Sequence, residues 1–221
     1  MSELPSLTVA GDLSRIHQVI TRALQVAIQQ CQFFETKTLT TDGGGLQCYI
    51  TALLQLLDSH HQIEDDLIFP YFQQKIPTLP VAEMERQHQA LVPLLERLAG
   101  LLPTFDQSPT ATIPWTTIAE TLIEIEALWE PHYQLEEAHL NEGNISQVID
   151  SAEQERLCHL YAEASKHHIT ADYLVLPFIL YNLPLPERQV MAQAFPPQVT
   201  EKLIPGEWYS QWQVMSPYLL T

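Results

Sequence analysis

Apolar residues recur at intervals of three and four along four long stretches of this chain. That spacing lays them along one face of a 3.6-residue helix, so each stretch must hide a stripe against a neighbour. In the first stretch the stripe is Leu13, Ile16, Ile20, Leu24, Ala27 and Ile28, with Asp12 as the expected N-cap and an end near Glu35. The second, from about 46 to 74, carries Ile50, Leu53, Leu57, His60, Glu64 and Ile68, with Pro70 expected to kink or end it. The third, about 81 to 102, carries Met84, His88, Leu91, Leu95 and Leu98. The fourth, about 115 to 141, carries Ile118, Leu122, Ile125, Trp129, His132 and Glu136, with a distortion expected at Pro131.

Glycine is scarce, and three of the seven stand together at Gly43, Gly44 and Gly45. The run TKTLTTDGGG and the proline-bearing PTFDQSPTATIP read as breaks between helices. No alternating strand pattern with hairpin turns is present. The expectation is an all-α chain: an antiparallel four-helix bundle over 9–142, followed over 146–221 by a C-terminal helix and a packed extension rich in proline and aromatic residues. That extra helix is expected over about 146–168. From Pro177 onward the reading is short helices and extended turns wrapped on the bundle, because Trp208, Tyr209, Trp212 and Tyr218 need burial.

The polar residues on the stripes repeat. HHQIEDD at 60–66 and HYQLEEA at 132–138 both place His and Glu four residues apart, one turn along a single face. Each is preceded by a lone stripe histidine, His17 before His60 and His88 before His132, at separations of 43 and 44 residues. Four imidazoles and two carboxylates would then enter one bundle core. An unpaired buried carboxylate is costly and clustered imidazolium ions repel, and a metal relieves both. Mixed nitrogen and oxygen donors suit iron or manganese, and a four-coordinate zinc site needs fewer ligands. A single histidine on an apolar stripe is usually a hydrogen-bonded core residue, and a single His-x-x-x-Glu is often a surface pair. The paired, evenly spaced set is what carries the metal reading.

The 27 acidic residues against 10 basic give a formal net charge of −17, which opposes binding to nucleic acid or to an anionic membrane. No apolar run of about 18 residues suggests a membrane span, and the start MSELPSLTVAGD does not resemble a secretory leader. Cys31, Cys48 and Cys158 are odd in number and widely spaced, which favours a reduced, cytoplasmic protein over a disulfide framework.

HHQIEDDLIFPYF and HYQLEEAHL, with the lone His17 and His88, resemble the hemerythrin-like, or HHE cation-binding, family over about residues 11–142. The resemblance implies a non-haem centre of two iron ions with an oxo or hydroxo bridge (Fe-O-Fe or Fe-OH-Fe) and a position open to dioxygen or peroxide. Carried over position by position, it implies the ligands His17, His60, Glu64, His88, His132 and Glu136. Oxygen-carrying members have a further histidine one turn after the third-helix ligand, where this chain has Val92. Their last motif is His-x-x-x-x-Asp, for which this chain offers Glu136 or, at the longer spacing, Glu137. These departures point away from reversible oxygen carriage and toward the broader group, linked to peroxide or oxygen chemistry, iron handling and sensing.

Other histidines have plainer readings. His61 lies about 100° round the helix from His60, as an extra ligand or, in the expectation, an outer group supporting one. His139 reads as a capping or surface residue. His159, Glu163 and His167 form an i, i+4, i+8 row beside His168, read as a solvated face. Gly43–Gly45 lack a following Lys-Ser/Thr and make no phosphate loop.

Three functions compete. The chain binds or reacts with dioxygen or peroxide at a di-iron centre, with peroxide decomposition as the enzymatic form. Alternatively it is an iron or oxygen sensor whose tail engages a protein partner, or a structural metal bundle, with zinc as its candidate metal.

Overall fold

The computed structural model describes residues 7–36, 43–102 and 113–220. Among them the chain is helical and has no strand. The breaks expected at TKTLTTDGGG and PTFDQSPTATIP lie mostly outside the described residues.

Four long helices carry the expected stripes: α1 Val9–Thr36, α2 Gly44–Ile63, α4 Val81–Leu101 and α5 Trp115–His139. α1 begins earlier than expected. Thr8, rather than Asp12, supplies the cap by accepting from the Gly11 amide at 3.1 Å, and Asp12 pairs with Arg15 inside the first turn. Gly44 and Gly45 belong to the first turn of α2. A side chain at Gly45 would meet the Val214 carbonyl at 2.3 Å, so glycine here lets the chain's C-terminal backbone lie against α2.

The second stripe is not one uniform helix. After Ile63 the backbone widens into a π-helical turn, Glu64–Ile68, and then continues as α3, Phe69–Gln73. Pro70 has no amide to give the residue four back, and its ring would crowd that carbonyl, so the turn before it widens. Pro131, by contrast, leaves α5 α-helical across its whole range, with the proline on the exposed side. α4 likewise continues through Pro93.

Tertiary contacts set directions. Phe34 near the end of α1 stacks on Trp115 at the start of α5, while His17 reaches Glu136 near the end of α5. Arg97 late in α4 bonds Thr121 and Glu124 in the first half of α5, and His88 meets His132 in its second half.

The helix expected over 146–168 is the shorter α7 Ser151–Ser165, which starts where the Asp150 carboxylate caps the Glu153 amide at 2.9 Å, and a short α6, Glu142–Ser146, precedes it. Beyond lie α8 Asp172–Tyr181, α9 Leu185–Met191, a second π-helical stretch Val199–Glu207, α10 Tyr209–Trp212 and a 3-10 turn Gln213–Tyr218. α8 runs straight through Pro177, and the tail expected as short helices and extended turns is largely short helical segments.

The core joins bundle and extension. Phe178, Leu183, Ile204 and Met215 pack in one apolar cluster with Ile20, Leu24, Tyr49, Leu53 and Ile125. Phe178 meets Tyr49 edge-on at 4.9 Å between centroids. The Tyr49 hydroxyl donates to Asn182 Oδ1 at 2.7 Å, and Arg22 donates to the same oxygen and to the Tyr218 carbonyl. No described helix is long and apolar enough to cross a membrane.

Candidate metal centre

His60 and His61 close α2, and Glu64 opens the π-helical turn. The Phe69 amide reaches back five residues to the Glu64 carbonyl. The widened turn lies at the residue that must face both neighbours, a common use of π-bulges at functional sites. His17 comes from α1, His88 from α4, and His132 and Glu136 from α5, one turn apart.

Together with His61, the six residues expected from the sequence form two sets of ligand atoms, each set within 4.8 Å of itself: His61, Glu64, His88 and His132, and His17, His60, Glu64 and Glu136. Glu64 belongs to both. Its Oε1 lies 3.4 Å from His60 Nε2 and its Oε2 lies 3.5 Å from His88 Nε2. Glu136 also straddles, with Oε2 3.1 Å from His17 Nε2 and Oε1 3.3 Å from His132 Nε2. Both carboxylates are fully buried.

The outward nitrogens fix which way the lone pairs point. His17 Nδ1 donates to the Glu137 carboxylate at 3.0 Å, and His88 Nδ1 to Asp65 at 2.8 Å, since a carboxylate only accepts. His132 Nδ1 meets Gln87 Oε1 at 3.1 Å, and the Gln87 amide nitrogen is turned to Glu83. With their protons outward, the neutral rings aim bare Nε2 lone pairs into the site. There His17 Nε2 faces a carboxylate oxygen, and His88 Nε2 faces His132 Nε2 at 3.0 Å. Only a cation, a proton or a metal ion, makes such pairs attractive.

Protons cannot serve the whole site. Burial, with the positive charge of neighbouring imidazoles, holds His60 and His61 well below the ordinary histidine range, and His132 down at about 4 with burial as the main cause. Burial also lowers His17 and His88, but the close carboxylates outweigh it and both end above the ordinary value. Burial and the Glu136 charge push Glu64 well up. Burial works the same way on Glu136, yet the imidazoles of His17 and His88 hold it low.

The Nε2 atoms of His17, His60 and His61 and all four oxygens of Glu64 and Glu136 are buried without a hydrogen bond among the described residues. Seven such atoms converging in one core fit metal ions, because buried polar groups otherwise find hydrogen-bond partners. Five nitrogens with two carboxylates suit iron or manganese. Trp129 closes the site on one side, its ring 5.4 Å from His17 and 5.7 Å from both His60 and His132, anchored by its Nε1 donating to Thr21.

His61 differs from expectation. Expected behind the ligands, it stands with Glu64, His88 and His132 in one set that could hold an ion, and its ring stacks on His88 at 4.2 Å. The three-residue step from His61 to Glu64 was the available signal, since i and i+3 share a helix face as i and i+4 do. Glu137, the alternative to Glu136, is half-exposed and holds His17 from outside. Val92 is exposed at 49% and contributes nothing to the site. His139 Nδ1 bonds the Leu135 carbonyl near the end of α5. His159, Glu163 and His167 are exposed.

Compared with known families, residues 11–142 match the model of the hemerythrin HHE cation binding domain. No curated protein and no solved structure matches the chain.

Proposed function

The chain belongs to the hemerythrin HHE cation-binding domain family, and on that footing we propose a non-haem di-iron protein that binds or reacts with dioxygen or peroxide. The observation that carries this reading is the sharing of Glu64 between two sets of buried side chains that could hold an ion, seven of whose nitrogen and oxygen atoms have no hydrogen-bond partner among the described residues. In the proposal His17, His60, Glu64, His88, His132 and Glu136, joined by His61, hold two iron ions. Bound iron supplies a redox couple and coordination positions that the protein does not fill.

The chain's own residues do the rest. Glu64 and Glu136 turn one oxygen toward each set and would hold the ions as a pair. Glu137, Asp65 and Gln87 keep three imidazoles in the tautomer that presents Nε2 inward. Leu57, Leu91 and Trp129, all buried, keep bulk water from the centre.

The proposed architecture is an antiparallel four-helix bundle over 9–142 carrying an extension over 146–221, supported by the opposed contacts of α1 and α4 with α5. A cytoplasmic setting is proposed on the odd number and wide spacing of Cys31, Cys48 and Cys158. The partners in this reading are small oxygen species. The charge of −17 argues against nucleic acid and anionic lipid, and a protein partner would meet the outer face of the tail.

Metal analysis with an absorption spectrum tests the reading. About two irons per chain, with a spectrum that changes when the ferrous protein meets dioxygen or the ferric protein meets azide or peroxide, is the expected result. One zinc and no iron after iron-replete expression favours the structural bundle and sinks the proposal. An iron-loaded protein inert to both oxygen species leaves the sensor.

A further inference from the structure

The two motifs that carry the candidate ligands differ at their second position: His61 follows His60, and Tyr133 follows His132. His61 stands in one of the sets that could hold an ion. Tyr133 stands in neither, yet its ring lies 5.6 Å from His17 and 5.6 Å from Trp129, one turn back on α5. Trp129 in turn meets four of the candidate ligand rings, His17 at 5.4 Å, His60 and His132 at 5.7 Å and His61 at 6.2 Å. His61 and His132 belong to one set and His17 and His60 to the other, so the indole adjoins both. Trp129 is 1% exposed, whereas Tyr133 is partly open to solvent.

The candidate ligands themselves are closed to a reductant. Glu64, Glu136 and His132 have no exposure, and none of the other four imidazoles exceeds 8%. An electron bound for a metal held there must cross protein. Tunnelling rates fall steeply with distance, so an oxidisable ring on the way divides one slow step into shorter, faster ones. Indole and phenol are the side-chain rings that give up an electron most readily. Phe69 stacks on His88 at 5.5 Å, but its ring resists oxidation. The indole N–H of Trp129 donates to the Thr21 hydroxyl at 2.9 Å. A hydroxyl is a weak base, so an oxidised indole there keeps its proton and draws an electron from its neighbour instead. Tyr133, the partly exposed neighbour, has water to take its phenolic proton.

We propose that Trp129 and Tyr133 form an electron relay between the metal centre and a one-electron reductant in solution, of the ascorbate or hydroquinone class. The inference rests on the di-iron reading. Reduction of one hydrogen peroxide to two waters takes two protons and two electrons, and the relay delivers the electrons singly. Trp129 passes an electron inward and is left as a radical cation. Tyr133 restores it, loses its phenolic proton to water and becomes a neutral radical. The reductant returns an electron to Tyr133 as water returns a proton, so both side chains end unchanged.

Iron-loaded full-length protein mixed with stoichiometric peroxide, frozen and read by electron paramagnetic resonance tests the relay, with peptide mass spectrometry to locate oxidised side chains. Wild type should show a tyrosyl radical, and ascorbate should erase it. Tyr133→Phe, nearly equal in volume, should replace it with a tryptophan radical that ascorbate no longer erases, so that hydroxylated Trp129 accumulates. Trp129→Phe should lose both signals. Tyr209→Phe, at a tyrosine 48% exposed in the extension, should match wild type. Iron content and peroxide consumption measured on the same samples separate this proposal from the one beneath it. Protein that holds iron and consumes peroxide without any organic radical sinks the relay alone, and so does a tyrosyl radical that survives Tyr133→Phe. A tyrosyl radical that survives Trp129→Phe overturns the part given to Trp129 and leaves His17 as the contact of Tyr133. Protein that takes up no iron sinks both proposals, and iron-loaded protein inert to peroxide sinks the relay.

Discussion

The Nε2 atoms of His88 and His132 lie 3.0 Å apart, with the Nδ1 of each tied outward, to Asp65 in one case and to Gln87 in the other. Two neutral rings held this way would confront each other lone pair to lone pair. The outer partners are therefore as much a part of the centre as the donors: they force it to contain a cation.

Asp65→Asn and Glu137→Gln test that coupling. Each keeps shape and removes the charge that orients a histidine. Metal affinity measured by chelator competition should fall about 10- to 100-fold in each variant, while the helical circular dichroism stays unchanged. Unaltered affinity in both would show that the tautomers are set by something else.

Glu64→Gln removes the shared carboxylate with almost no change in volume. Metal content should drop from about two ions per chain to one or fewer, on the two-set arrangement. A variant that retains both ions would mean that Glu136 alone pairs them.

His61→Gln should disturb the set that contains His88 and His132, lowering occupancy or shifting the absorption spectrum, whereas Val92→Ala should change neither. Equal silence in the two variants returns His61 to an outer role.

Acidity should compete with metal at His17, at His88 and at Glu64, whose carboxyl is pushed up by burial and by the Glu136 charge. His17 and His88 are raised above 6.5, so without metal they hold protons at pH values where an ordinary histidine has begun to lose them. Metal must displace those protons. Affinity should be full above the raised values and fall by about tenfold per displaced proton for each pH unit below them. His132, at about 4, and the lowered His60 and His61 are already neutral there and add no slope. Affinity independent of pH between about 6 and 8 would contradict the assignment of His17 and His88 as proton holders.

Phe178→Ala tests whether the extension is integral to the core. Phe178 is fully buried against Tyr49, so its truncation should cost about 3–5 kcal/mol in denaturant unfolding. A loss under about 1 kcal/mol would mean that the bundle stands without it.

The sequence by itself determined the long helices and which of their faces carry the candidate ligands. Stripe spacing located α1, α2, α4 and α5, because burying one face of a helix demands an apolar residue every third or fourth position whatever the neighbour. The same spacing put His17, His60, Glu64, His88, His132 and Glu136 on buried faces. Tertiary structure decided what periodicity cannot express. Pro70 widens the backbone into a π turn at Glu64, and His61 enters a donor set because α4 and α5 bring His88 and His132 to its side of α2. Glu136 lies inward and Glu137 outward, a choice left open by two adjacent glutamates and settled by the position of His17 on another helix. The apolar pocket beside His60, lined by Leu13, Leu56, Leu176 and Phe195, belongs to no local pattern. It exists because α7, α8 and Phe195 close over α1 and α2 without filling the space between them, and packing between segments far apart in sequence is a property of the assembled fold alone.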